Sequence, residues 1–203
     1  MKLTLVRALT VGGAALSLLV AHASAAIVFS NGSPSPSLTP IGNTLVNFDE
    51  LPTNSVLSPT QYAAVGIASI VNLQTPPLGV YQGTQSQPNY VGTGPNVGWA
   101  ADIMITFSSL QSQIGIGVAD DTTTFKVWGD NNTLLGTHVN AGLNFYQIIS
   151  SNAADIRAIQ ITSAFVAIDD IQFTGGRVPD SGLSVILLGM GLAGLAVIRR
   201  KLN

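Results

Sequence analysis

Ile103-Met104-Ile105-Thr106-Phe107 and Ile114-Gly115-Ile116-Gly117-Val118 decide how this chain folds. In both stretches every second residue is large and apolar, and the residues between are Met, Thr or Gly. A period of two places alternate side chains on opposite faces of an extended backbone, so one face packs while the other meets water. Phe125 and Val127 continue the pattern, and Gly129-Asp130-Asn131-Asn132 then supplies a turn before Leu134-Leu135. Segments 145–149, 156–161 and 166–173 are further strand candidates, with 45–48 and 65–73 in the N-terminal half. Strands about ten residues apart with turn chemistry between them indicate an all-β sandwich or barrel.

Around that pattern the chain divides by composition. Residues 74–98 are dense in Pro, Gly, Gln and Asn, which predicts long loops. Ser30-Asn31-Gly32-Ser33-Pro34-Ser35-Pro36-Ser37 has no apolar period, so 26–43 is expected to be a flexible lead-in to a sandwich spanning 44–175. The body shows no amphipathic helical period. Of the 203 residues, 46% are hydrophobic and only 9% charged, against about 25% charged in ordinary soluble domains. The absence of cysteine excludes disulfide scaffolds, thiol catalysis and iron–sulfur clusters.

The ends explain part of the apolar bias. Lys2 and Arg7 precede an apolar run from 8 to 21, and Ala23-Ser24-Ala25 offers a small-x-small cleavage site. This is the pattern of a secretory signal peptide over 1–25, cut by signal peptidase before Ala26. A second apolar run, 183–198, follows Val178-Pro179-Asp180-Ser181-Gly182 and is closed by Arg199-Arg200-Lys201. Its length is near the lower limit for a membrane-spanning helix, and cations behind it stay in the cytoplasm. Export at one end and stop-transfer at the other require the same orientation.

The tripartite end, 178–203, resembles the PEP-CTERM class of bacterial sorting tails, and Val178-Pro179-Asp180-Ser181-Gly182 is similar to its VPDSG variant. The resemblance implies a precursor anchored in the inner membrane by a single C-terminal helix. It further implies processing by an exosortase-type protease and delivery to the cell surface or an exopolysaccharide matrix. The body more faintly resembles jelly-roll ectodomains that precede such tails, through Asn47-Phe48-Asp49-Glu50-Leu51, Gln61-Tyr62, Gly66-Ile67 and Ala167-Ile168-Asp169-Asp170-Ile171-Gln172-Phe173. That likeness implies a jelly-roll-like antiparallel sandwich, flanked by the signal helix and the transmembrane helix.

Gly189-Met190-Gly191-Leu192-Ala193-Gly194 matches G-x-G-x-x-G, but it lies inside the apolar tail and no acid follows it. A dinucleotide fingerprint needs a strand before it and an acid about 20 residues later, so these glycines read as close-packing positions on a membrane helix.

Three basic residues (Lys126, Arg157 and Arg177) and nine acids fall between Ala26 and Arg177, giving the body a net charge near −6. Such a surface repels nucleic acid and anionic lipid and favours divalent cations. Asp49-Glu50 follows the first strand of the expected sandwich and Asp169-Asp170 lies in its last, and such strands commonly pair. One reading is therefore a structural calcium ion held by Asp49, Glu50, Asp169 and Asp170, since Ca²⁺ takes several oxygen ligands. The other is that one acid accepts backbone hydrogen bonds while its neighbour is solvated. Asp120-Asp121 reads as a turn.

Sugar binding needs aromatic faces with amides close by. Tyr81, Tyr90 and Trp99 fall in the polar region with Gln82, Gln85, Gln87 and Asn89, and are the candidate glycan contacts. Trp128, beside alternating core residues, reads as a packing side chain. His138 is the body's only histidine, and the chain has no G-x-S-x-G, H-E-x-x-H or P-loop, so no catalytic constellation is visible. The expectation is an exported, surface-sorted protein with a structural or adhesive role and no enzymatic activity. A carbohydrate-binding module is the alternative, and a secreted hydrolase a more distant one.

Overall fold

A computed structural model describes residues 26–35, 37–83, 88–94, 100–119 and 122–174. The expected signal peptide (1–25), the sorting motif (178–182), the apolar run (183–198), the basic end (199–201), Trp99 and Asp120-Asp121 lie outside them. Among the described residues no helix is long and apolar enough to cross a membrane.

Twelve strands follow in chain order: β1 (Ile27–Gly32), β2 (Thr44–Val46), β3 (Ile67–Asn72), β4 (Gly79–Gln82), β5 (Asn89–Gly92), β6 (Ala101–Gln111), β7 (Gln113–Ala119), β8 (Thr123–Trp128), β9 (Leu134–Asn140), β10 (Phe145–Ser151), β11 (Ile156–Ser163) and β12 (Ala167–Phe173). The described helical structure is two short 3-10 turns, Ala63–Val65 and Asp130–Asn132. The strands form two open antiparallel sheets. One runs β1-β10-β7-β12-β5-β4, with β2 also on β12; the other runs β3-β6-β11-β8-β9.

The alternation that predicts strands also builds the core. Ile103, Ile105 and Phe107 of β6 meet Ile114, Ile116 and Val118 of β7, Phe125 and Val127 of β8, and Ile159 and Ile161 of β11, all buried in one cluster between the sheets. Each such side chain contributes about 1.5–3 kcal/mol by leaving water. Phe107 and Phe173 pack with ring centroids 5.2 Å apart.

Two expectations need correction. The sandwich starts at Ile27, not Thr44: β1 pairs with β10 from Ile27↔Ser151 to Gly32↔Tyr146. Ile27 and Phe29 pack on the core. The Ser-, Pro- and Gly-rich composition that follows hid this short strand. Residues 74–98 also hold a hairpin, β4 with β5, that the polar composition masked. Val80 and Val91, paired across it, point into the core.

Glycines in β7 have a packing reason. A Cβ on Gly115 would overlap the Tyr146 hydroxyl and crowd Ile41. The bare backbone lets the Tyr146 ring of β10 lie across β7 beneath the segment leading to β2.

Candidate functional site

The strands bring the two acid pairs to one corner. β2 pairs with β12 through Val46↔Ile171, Leu45↔Gln172 and Thr44↔Phe173, so the residues just after β2 meet those at the middle of β12. Here both chains leave regular geometry. Phe48, fully buried, has φ 60°, and Asp170 has φ 47°. Asp170 sits in a bulge, because Asp169 faces Gly117 while the next pair is Gln172 with Gly115. Left-handed backbone at a bulky residue is uncommon, and two cases side by side show that surrounding packing imposes them.

Asp169 and Asp170 are 1% and 4% exposed. Asp169 Oδ1 accepts the Asp170 N–H at 2.8 Å. Asp49 Oδ2 accepts from Asn47 Nδ2 at 2.7 Å, and its Oδ1 from the Asn89 N–H at 3.2 Å. Glu50 Oε1 accepts the Tyr62 hydroxyl at 2.6 Å. Burial first, then the Glu50 hydrogen bond and the charges of Glu50, Asp169 and Asp49, push the Tyr62 phenol well above its ordinary range. On the other side, burial and the charge of Asp170 push Tyr146 up as well. The two consecutive acids of β12 thus act on two different tyrosines.

Convergence of the strands is therefore real, but the carboxylates are met by protein donors. Among the described residues no group of three or more His, Cys, Asp or Glu is placed to hold a metal ion.

Tyr81 and Tyr90 are not loop aromatics. They face each other across the β4–β5 hairpin, ring centroids 6.0 Å apart, and form a small cluster with Ala119 and Ala167. Tyr90 is 4% exposed and its hydroxyl donates to the Gly94 carbonyl at 3.2 Å. A ring so enclosed offers no open face to a sugar. His138 stacks on Phe29 at 4.8 Å, holding edge strand β9 against β1.

The outer face of the five-stranded sheet carries a feature that sequence reasoning missed. Trp128 follows Phe125 and Val127 in β8 and points to the face away from the core, where it lines a cavity of about 280 Å³ with Met104, Thr106, Asn132, Arg157 and Ala158. Its indole Nε1 is buried and has no hydrogen-bond partner among the described residues. Arg157 is fixed at the rim: Nε and Nη2 sit 2.9 Å and 2.8 Å from Asp130 Oδ1, and Nη1 donates to the carbonyls of Phe107 and Ser108. Asn131 and Asn132 adopt φ 56° and 57° in the turn that bounds the cavity. Further along the same face, Asp102 Oδ1 accepts from Gln160 Nε2 at 2.7 Å and from Thr162 Oγ1 at 3.1 Å. The strand parity of Trp128 was the available signal, since it alternates with Val127.

Residues 177–202 match the VPDSG-CTERM motif, a PEP-CTERM-type sorting signal. The match covers the tail alone. Comparison with curated proteins and with solved structures returned no match for the chain. The molecule is thus a two-sheet antiparallel β protein carrying an envelope-sorting tail of the kind processed by exosortase-type enzymes.

Proposed function

We propose that the protein is a non-enzymatic structural or adhesive component of the cell envelope or its exopolysaccharide matrix, displayed by its tail. The observation that carries this reading is the sorting signal at 177–202, which begins just after β12 ends at Phe173. The tail thus follows a body whose last strand is already paired into the sheet, so processing need not disturb the fold. In this reading residues 1–25 direct export and are removed, 183–198 hold the precursor in the membrane, and 199–201 keep its end in the cytoplasm. The sandwich is read as jelly-roll-like, supported by repeated crossing between sheets: β6, β8, β9 and β11 lie in one, and β7, β10 and β12 in the other.

The acidic corner serves the fold in this reading. Asp49, Glu50 and Asp169 each have a protein donor, so calcium is not needed to neutralise them.

Deleting the exosortase of the source cell tests the proposal. The body is expected at the surface without its tail in the parent, and as a longer membrane-bound precursor in the deletion strain, by intact mass and fractionation. Finding the uncut chain in the cytosol of both strains overturns it. Carbohydrate binding is the second reading, favoured by the cavity at Trp128.

A further inference from the structure

A cavity of about 280 Å³ is at the small end of ligand sites, which run from roughly 300 to 1,000 Å³. It has room for one ring, not for an extended cofactor. Its floor is apolar: Met104, Ala158 and the indole of Trp128. Its rim is polar: Thr106, Asn132 and the Arg157 guanidinium. A pyranose has the matching anatomy, with a C–H face that sheds water on an aromatic ring and hydroxyls around its edge.

Two further observations narrow the ligand. The buried Trp128 Nε1 lacks an acceptor among the described residues, and a donor shut away from water without a partner is costly. A ligand oxygen would relieve that cost. The Arg157 charge is already met by Asp130 at 2.8 Å, and the body is strongly acidic, so the site has no net pull on an anion. The ligand is neutral.

We propose that the cavity beside Trp128 binds one ring of a neutral polysaccharide, with Trp128, Met104 and Ala158 under the ring and Thr106, Asn132 and Arg157 at its hydroxyls. This rests on the proposed role in an exopolysaccharide matrix and names the ligand for it. Arg157 is positioned before any ligand arrives, because its bonds to Asp130, Phe107 and Ser108 hold the guanidinium in place. Preorganisation of this kind reduces the entropy lost on binding. The Asp102–Gln160–Thr162 network runs on from the cavity along β6 and β11, in register with it through Gln160↔Met104 and Thr162↔Asp102. It gives the next sugar of a chain a hydrogen-bonding surface.

The test titrates the full chain, purified in mild detergent, with neutral gluco-, manno- and galacto-oligosaccharides. Binding is read by calorimetry and by fluorescence in a Trp99→Phe background, which leaves Trp128 as the only tryptophan. Saturable binding of at least one neutral oligosaccharide is expected. Trp128→Phe keeps a ring but loses the donor, and should weaken binding about five- to tenfold. Ala158→Leu fills the cavity and should abolish it. On the Trp99→Phe chain, bound sugar should slow oxidation of Trp128 by N-bromosuccinimide, a readout that leaves the cavity residues unaltered. Absence of binding across the neutral panel, tighter binding of a polyuronate, or binding that leaves Trp128 unprotected overturns the proposal. Failure here leaves surface sorting intact, whereas failure of the envelope role shows in fractionation whether or not sugar binds.

Discussion

The Tyr62 hydroxyl donates a 2.6 Å hydrogen bond to Glu50 Oε1, tying the turn before β3 to the chain that follows β2. The Tyr62 ring meets Phe48 edge-on at 5.3 Å, so a single side chain braces the strained corner from its apolar and polar sides. Tyr62→Phe keeps the ring contact and frees an exposed carboxylate to water. The expected loss is about 0.5–1.5 kcal/mol, measured by denaturant unfolding.

The same group sets an alkaline limit. Its folded-state pKa is raised, so the native protein holds a proton that the unfolded chain releases near pH 10. Stability from this group is fully present below that pH and falls as pH rises above it. Tyr146 contributes in the same sense. Urea midpoints should be level approaching pH 9 and decline above pH 10, with a shallower decline in Tyr62→Phe. An equally steep decline in the variant would assign alkaline sensitivity elsewhere.

Gly115→Ala should destabilise by about 1–3 kcal/mol, because its methyl group meets the Tyr146 hydroxyl in a filled site. That hydroxyl is buried without a hydrogen bond among the described residues, so Tyr146→Phe should be close to neutral. Combining the two should recover part of the Gly115→Ala loss. Additive effects in the double-mutant cycle would contradict the contact.

Asp170 has φ 47°, a conformation that Asn tolerates and β-branched residues resist. Asp170→Val should therefore cost roughly 1–3 kcal/mol more than Asp170→Asn. Similar thermal midpoints for the two variants would show that the bulge relaxes.

Adding Ca²⁺ or EDTA to the purified protein should leave its melting temperature unchanged, since Asp49, Glu50 and Asp169 are met by protein donors. A rise with Ca²⁺ that is lost in Asp169→Asn would instead place a cation at this corner.

The core strands were legible because their signal is local. Ile103, Ile105 and Phe107 alternate without interruption, and both faces of the sandwich use that period. β1 and the β4–β5 hairpin were hidden because each has few core contacts and lies among Ser, Pro, Gly and Gln. Composition therefore outweighed a pattern only four to six residues long. The meeting of Asp49-Glu50 with Asp169-Asp170 followed from pairing the expected first and last strands. The bulge that turns Asp170 aside depends on β7 across the sheet and has no local signature. Tyr90 looked exposed because its neighbours are polar, yet those neighbours form the strand that buries it. Trp128 was misplaced because adjacency to core residues was weighed above parity.

The pairing of β12 has a mechanical consequence. It lies between β7 and β5, with β2 also alongside, and the chain continues from it toward the sorting signal. Tension applied through a tether at that end loads an interior strand in shear, against bonds on both flanks. β1, at the opposite end of the chain, is held by β10 alone and can peel one bond at a time. The molecule is built to resist a pull from the side on which it is anchored.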